Sequence, residues 1–304
     1  MTATSPQTHI GRLAAAVLLA LAATLSAPAA LAAAIDLDEV KTAGVLRHLG
    51  IPYANFVTGA GDGMDVELMQ RFAKRLGVRY EYVKTDWPLA FGDLTGKEIK
   101  AHGDDFEVLA EVPIKGDVLA NGVTVIPWRQ KAVLFGDVTF PNQVWLVSRA
   151  DSAVSPIRPT RSLADDILAT KSVLKDKSLM GKINTCLDPS LYDIEKTGAK
   201  ISLFEGGLNE LAPAMIANKS ELTLLDVPDA LVALQKWPGE IKIIGPVSEE
   251  QDMAPAFRKD SPKLRNEFNK MLAEMRADGS FARLVNQYYP FVSDYFPNFL
   301  PVKQ

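Results

Sequence analysis

Residues 44–83 read GVLRHLGIPYANFVTGAGDGMDVELMQRFAKRLGVRYEYV, and the patterns in that run decide the fold class. Val45-Leu46-Arg47-His48-Leu49 is a short apolar strand, and a structural histidine is the simplest reading of His48 inside it. The glycines of Gly59-Ala60-Gly61-Asp62-Gly63 do not satisfy GxGxxG and mark a turn between a strand and a helix. Val66, Met69, Phe72, Ala73 and Leu76 then recur at three- and four-residue spacing, an amphipathic helix stopped by Gly77. Residues 78–83 alternate as a second strand. Strand, helix and strand in about 40 residues open an α/β unit on a parallel sheet.

Working outward, residues 87–115 are harder to place. They carry Asp104, Asp105, Glu107 and two prolines, and we read them as a surface insertion of mixed structure. Residues 118–120 form a buried strand, and two further apolar runs lie within 133–147. A Ser/Pro/Arg-rich stretch at 148–161 marks a boundary. Beyond it a second α/β set begins. It contains an apolar run at 222–225 ending on Asp226, a helix over 228–234 and a strand at 241–244. Residues 246–253 are loop-like and 254–258 form another short strand. The chain closes on helices whose Leu264, Phe268, Met271, Leu272 and Met275 make a core stripe, continued by Phe281, Leu284 and Val285. Two such sets predict two α/β lobes, with ligand binding beyond the carboxyl ends of strands that face one another across a cleft.

The first residues stand apart. Arg12 precedes an apolar run at 13–25, and small residues follow to Ala34. This is the layout of a cleaved secretory signal over residues 1–34, and the run is shorter than the ~20 apolar residues of a spanning helix. The sole cysteine is Cys186, so no intrachain disulfide can form, and none lies at the cleavage region for lipid attachment. A free periplasmic protein is expected. The net charge of −4 lacks the basic excess that phosphate contacts require, which argues against nucleic acid. After the signal only His48 and His102 remain as histidines, with no zinc-ligand spacing, no HExxH and no GxSxG. We therefore expect no cofactor, no metal and no catalytic residues.

Several stretches together resemble the extracytoplasmic solute-binding proteins of family 3, the amino-acid-binding receptors of ABC importers. They are Gly44-Val45-Leu46 leading to Tyr53-Ala54-Asn55-Phe56; Gly63-Met64-Asp65-Val66-Glu67-Leu68 through Lys74-Arg75-Leu76-Gly77-Val78; residues 117–129; Leu224-Leu225-Asp226; and Ala254-Pro255-Ala256-Phe257-Arg258-Lys259 with the closing helices. The resemblance implies a periplasmic-binding-protein-like fold of type II, two α/β lobes joined by a two-strand hinge. Lobe 1 would comprise residues 35–145 and 253–304, and lobe 2 residues 146–252.

The resemblance also implies site residues. Thr124-Val125-Ile126-Pro127-Trp128-Arg129 stands where the family places an arginine that grips the ligand's α-carboxylate. A planar two-pronged guanidinium suits that task better than lysine. Thr124 and Asn121 would complete the carboxylate's hydrogen bonds. Asp226 resembles the lobe-2 aspartate that holds the ligand ammonium; it is equally placed to cap a helix starting at Val227-Pro228, and the two roles are compatible. Tyr53 matches an aromatic that stacks on the ligand side chain, with core packing as the alternative, and Trp87 is a second candidate for that wall. The chain departs from the family at 181–189, where the usual Gly-Thr turn is altered. Thr185 is the candidate donor there, and Cys186 reads as a buried small hydrophobe. That change and the insertion at 87–115 leave the ligand open between an amino acid, a derivative and a small organic acid.

The leading expectation is therefore a monomeric periplasmic receptor that delivers a carboxylate-bearing solute to a membrane ABC permease. Two other functions belong to proteins resembling this family. One is a cyclohexadienyl dehydratase-like enzyme, for which Glu205, Glu210 and Asp188 are candidate acids. The other is a non-transport partner of a periplasmic quinoprotein dehydrogenase.

Overall fold

The computed structural model describes residues 36–183 and 185–300. The signal-peptide expectation for residues 1–34 lies outside them, as does Asn184 in the altered turn. No helix among the described residues is long and apolar enough to cross a membrane.

Two five-stranded sheets organise the chain. The first runs Arg79–Lys84, Val45–Gly50, Val118–Leu119, Ala256–Phe257, Leu134–Phe135. Its first three strands are parallel, and Ala256–Phe257 is antiparallel to both neighbours. The second runs Lys200–Leu203, Ser178–Gly181, Leu222–Asp226, Val144–Arg149, Ile241–Pro246. Here Val144–Arg149 is antiparallel to both neighbours, with a register shift between Ile243 and Gly245. The chain leaves the first sheet after Leu134–Phe135 and returns to it at Ala256–Phe257. On the way out it forms Phe140–Asn142, and on the way back Gln251–Met253. These two pair antiparallel, a two-strand hinge between the lobes.

Local chemistry explains the first lobe. Helix Met64–Leu76 buries Met64, Leu68, Met69, Phe72, Ala73 and Leu76. Asp65 and Glu67 sit at its start and Lys74 and Arg75 at its end, matching the helix dipole. Gly77 ends it in a left-handed conformation, its N–H returning to the Ala73 and Lys74 carbonyls. Phe72 meets Phe268 of helix Pro262–Ala277 edge-on at 5.5 Å, tying the C-terminal stripe to this lobe.

Two segments are only partly legible in the sequence, and the loop-like reading of 246–253 needs correction. The mixed structure read for residues 87–115 takes a definite form: helix Trp87–Thr95 ends at Gly96, and Lys97–His102 pairs with Asp105–Glu111 as an antiparallel hairpin. Both strands are largely exposed and interleave charges, so the apolar alternation that marks a half-buried strand is weak there. The stretch 246–253 contains the hinge strand Gln251–Met253, too short to register as a pattern.

His48 is fully buried, with Nε2 2.5 Å from the Ala120 carbonyl and Nδ1 2.9 Å from the Tyr80 hydroxyl. A carbonyl only accepts, so Nε2 carries the proton and Nδ1 accepts from Tyr80 in a neutral ring. Burial depresses its pKa to about 4, against the Ala120 hydrogen bond, which raises it. Asp65 is shifted the other way: burial lifts it to about 7 although the Gly122 amide donates to it. Unfolded chains protonate histidine near 6.5, so His48 makes stability fall as pH drops from 6.5 toward 4. Asp65 contributes most below 3.8, and that contribution declines as pH rises toward 7. The two slopes oppose each other. Asp65→Asn should therefore make unfolding free energy rise between pH 4.5 and 6.5 by about 2–3 kcal/mol more than in wild type. Urea titrations at both pH values measure it; parallel profiles would contradict the assignment.

Candidate functional site

Arg129 lies on the short helix Pro127–Ala132, which Pro127 starts. Its side chain folds inward and is 1% exposed. The guanidinium carbon stands 5.4 Å from the ring centre of Trp87, 5.3 Å from that of Phe91 and 5.4 Å from that of Trp128. Cation–π attraction holds it in this cage. One donor, Nη1, reaches the Thr124 carbonyl at 3.0 Å, while Nε has no partner. Arg129 makes no ion pair with any described residue. Burial pushes its pKa down, but an arginine remains charged, so a bare cation is held out of water.

Asn121 sits just upstream, fully buried, with neither amide atom partnered. The turn around it is fixed from two sides. Gly122, at φ +67°, donates its N–H to Asp65 at 2.8 Å, and Thr124 bridges Met253. A Cβ at Gly122 would fall 2.4 Å from the Phe56 ring, so this residue must be glycine.

The acidic side lies across the cleft. Asp226 ends strand Leu222–Asp226 and occupies the N-cap position of helix Val227–Lys236, but its side chain makes no capping hydrogen bond. Instead Oδ1 accepts from the Tyr53 hydroxyl and Oδ2 from the Cys186 thiol at 3.1 Å. Tyr53 thus packs in the core, stacked on Phe56 and edge-on to Trp87, with its hydroxyl crossing to the other lobe. Cys186 is buried as expected, yet also acts as a donor. Asp229 lies beside this group, buried, with Oδ2 unpartnered. Burial raises both carboxyls, and the neighbouring Asp226 raises Asp229 further. The Ala54 amide donates to Asn209 at 2.8 Å, a second contact between the lobes.

A cavity of about 450 Å³ opens beside the cage. Arg129, Trp87, Phe91 and Trp128 line one side, Ile99, His102 and Leu109 of the hairpin another, and Ile183, Thr185, Asp188 and Leu191 the third. Tyr53, Asn121, Thr124 and Asp226 are buried behind this surface and do not line it. Thr185 lines it, but its hydroxyl donates to the Lys182 carbonyl at 2.8 Å and accepts from the Leu187 amide at 3.0 Å. Its single proton shapes the altered turn and is not free for a ligand. Of the carboxyls considered as acids, only Asp188 faces the cavity; Glu205 and Glu210 are exposed elsewhere.

Phe91, Trp128 and the hairpin residues were not singled out in the sequence. Trp87 and Phe91 are four apart on one helix face, and Trp128 adjoins Arg129, so an aromatic surround was partly readable. The hairpin's ends meet, the Val112 amide donating to the Gly96 carbonyl at 2.9 Å. Deleting residues 97–111 and joining Gly96 to Val112 should therefore leave a folded protein with one cavity wall missing. Circular dichroism should be preserved while ligand affinity drops by at least about tenfold; undiminished affinity would remove the hairpin from the site.

The two sheets, the hinge and the caged arginine define a two-lobed α/β fold with a cavity lined from both lobes. The profile of bacterial extracellular solute-binding proteins, family 3, matches residues 113–291, more than half of the chain, and the chain belongs to that family. It is similar to the arginine-binding extracellular protein ArtP of Bacillus subtilis, 25% identical over 78% of this chain and 82% of ArtP. It also matches the membrane-bound lytic murein transglycosylase F of Desulfosudis oleivorans at 23% identity over 77% of this chain, but spans 45% of that longer protein. Among solved structures, the P235GK mutant of ArgBP from T. maritima superposes with TM-score 0.64 at 23% identity, covering 84% of this chain and 99% of that one. The ancestral amino-acid-binding protein AncCDT-1, a precursor of cyclohexadienyl dehydratase, gives TM-score 0.64 at 23% identity over 83% and 98%. These superpositions establish the type II periplasmic-binding-protein fold.

Proposed function

We propose that this protein is a periplasmic receptor that captures a small carboxylate-bearing solute between its lobes for ABC-type import. One observation carries the reading: Arg129 is a fully buried cation with an unpartnered Nε and no ion pair among the described residues, facing a 450 Å³ cavity. A charge held that way costs folding free energy, and a bound carboxylate compensates it with bidentate hydrogen bonds. Behind the cavity wall, Asn121 holds buried amide atoms that also lack partners. Relatives named for binding arginine, cystine and histidine support a small charged solute. Ligand meets Arg129 on the first lobe, and closure about the hinge brings up Ile183, Asp188 and Leu191. A few kcal/mol of differential affinity suffices to switch the lobes. The chain acts as a monomer, exported by the signal at 1–34, and its role is binding rather than catalysis.

Thermal unfolding of the processed protein against amino acids and small organic acids tests this. A ligand at ~1,000 times its dissociation constant adds about 4 kcal/mol, raising the midpoint by about 8–16 °C. The shift should vanish in Arg129→Met. A shift of equal size in that variant, or none from any carboxylate, would overturn the reading.

A further inference from the structure

The cavity says more about the ligand than that it is an anion. An α-amino acid carries its ammonium one carbon from its carboxylate, so a site for one needs hydrogen-bond acceptors close beside the arginine. On the cavity side Arg129 is bordered by rings: Trp87, Phe91 and Trp128 present their faces to the guanidinium, and the Trp87 Nε1 is itself a donor without a partner, while the acceptors beside it, the Thr124 carbonyl taken by Nη1 and the Asn121 amide, do not line the cavity. The carboxylate that resembles the family's ammonium site is occupied from within. Both oxygens of Asp226 are engaged, one by Tyr53 and one by Cys186, and the residue is fully buried behind the cavity wall. Asp188 is the one acid among the described lining. Its Oδ1 already accepts the Ser190 amide at 3.0 Å and hydroxyl at 2.7 Å, next to Leu191 at the mouth.

The remaining walls mix polar groups, Lys100, His102 and Ser190 among them, with large aliphatic side chains left uncovered. Leu109 is 53% exposed, Ile183 52% and Leu191 41%, and all three face the same cavity from opposite lobes. Large aliphatic side chains left in water around one concave site fit an apolar ligand body.

Resting on the carboxylate reading of Arg129, we propose that the solute is an amphipathic carboxylic acid without an α-ammonium group, its charged end on Arg129 and its apolar body between the hairpin and the side chains of Ile183 and Leu191. The Tyr53 hydroxyl already holds the Asp226 oxygen that an ammonium would use, so an amino acid would have to displace an internal hydrogen bond.

Matched pairs test this on the processed protein. Trp87 and Trp128 line the cavity, so tryptophan fluorescence reports binding. The probes are 3-phenylpropanoate against L-phenylalanine, hexanoate against L-norleucine, hexanoate against 6-aminohexanoate, and 3-phenylpropanoate against 3-phenylpropanamide. In every pair the plain acid should bind at least about tenfold tighter. Equal or tighter binding of an amino acid or of 6-aminohexanoate would overturn this inference and leave the carboxylate reading standing. Equal binding of the neutral amide, or binding unchanged in Arg129→Met, would overturn both. No saturable signal from either acid up to about 10 mM would also sink the proposal.

Discussion

Arg129→Met should abolish ligand binding and leave the protein at least as stable as wild type. Beyond its cation–π contacts with the cage, nothing in the described fold depends on the Arg129 charge: its one hydrogen bond there is to a carbonyl five residues back, and its Nε is unsatisfied. Methionine keeps the length, and its thioether packs well against the rings of Trp87, Phe91 and Trp128. Replacing a buried unpaired ion by a fitted hydrophobe should stabilise by about 1–3 kcal/mol. Removing the charge from a desolvated ligand pair should cost about 3–5 kcal/mol of binding, roughly a hundredfold or more in affinity. Urea unfolding and calorimetric titration read the two effects separately. A large loss of stability would make Arg129 a structural residue and remove the ground for the site.

Arg258→Met provides the opposite expectation from the same residue type at similar burial. Arg258 is 3% exposed, its Nη1 donates to the Gly116 carbonyl at 2.7 Å, and its Nη2 lies 3.8 Å from Asp117. Asp117 is itself fully buried and also accepts from the Arg47 amide at 2.9 Å. Removing Arg258 strands that carboxylate in the first sheet, and the loss should reach about 3–5 kcal/mol. The midpoint should fall by roughly 10 °C or more. Burial already raises the Asp117 pKa against the pull of Arg47 and Arg258, so acid should protonate the stranded group and shrink the deficit. Ligand affinity of the folded variant should be unchanged. A stability matching wild type at neutral pH would contradict this account of the pair.

The two arginines also show what was legible before any coordinates. The strand–helix–strand opening could be read because helix Met64–Leu76 has one buried stripe and glycines at both ends. Arg129 stood out from its place after an apolar strand and a proline. Sequence could not distinguish its unpaired state from the paired state of Arg258, because Asp117 lies 141 positions from Arg258 in the chain and partners at that range leave no local pattern. The link from Asp226 to Tyr53 and Cys186 was hidden for the same reason, spanning 173 and 40 positions. The hairpin Lys97–His102/Asp105–Glu111 escaped because exposed strands need no apolar alternation. Yet that hairpin supplies a wall of the cavity, so the least legible segment bears directly on what the protein binds.

The measurement that bears most directly on the central claim is a crystal structure of the protein with the tightest acid from the binding panel. The carboxylate oxygens should lie within about 3 Å of the Arg129 guanidinium, with the apolar body against the hairpin. A ligand seated elsewhere, with the Arg129 guanidinium still unpaired in its aromatic cage, would contradict it.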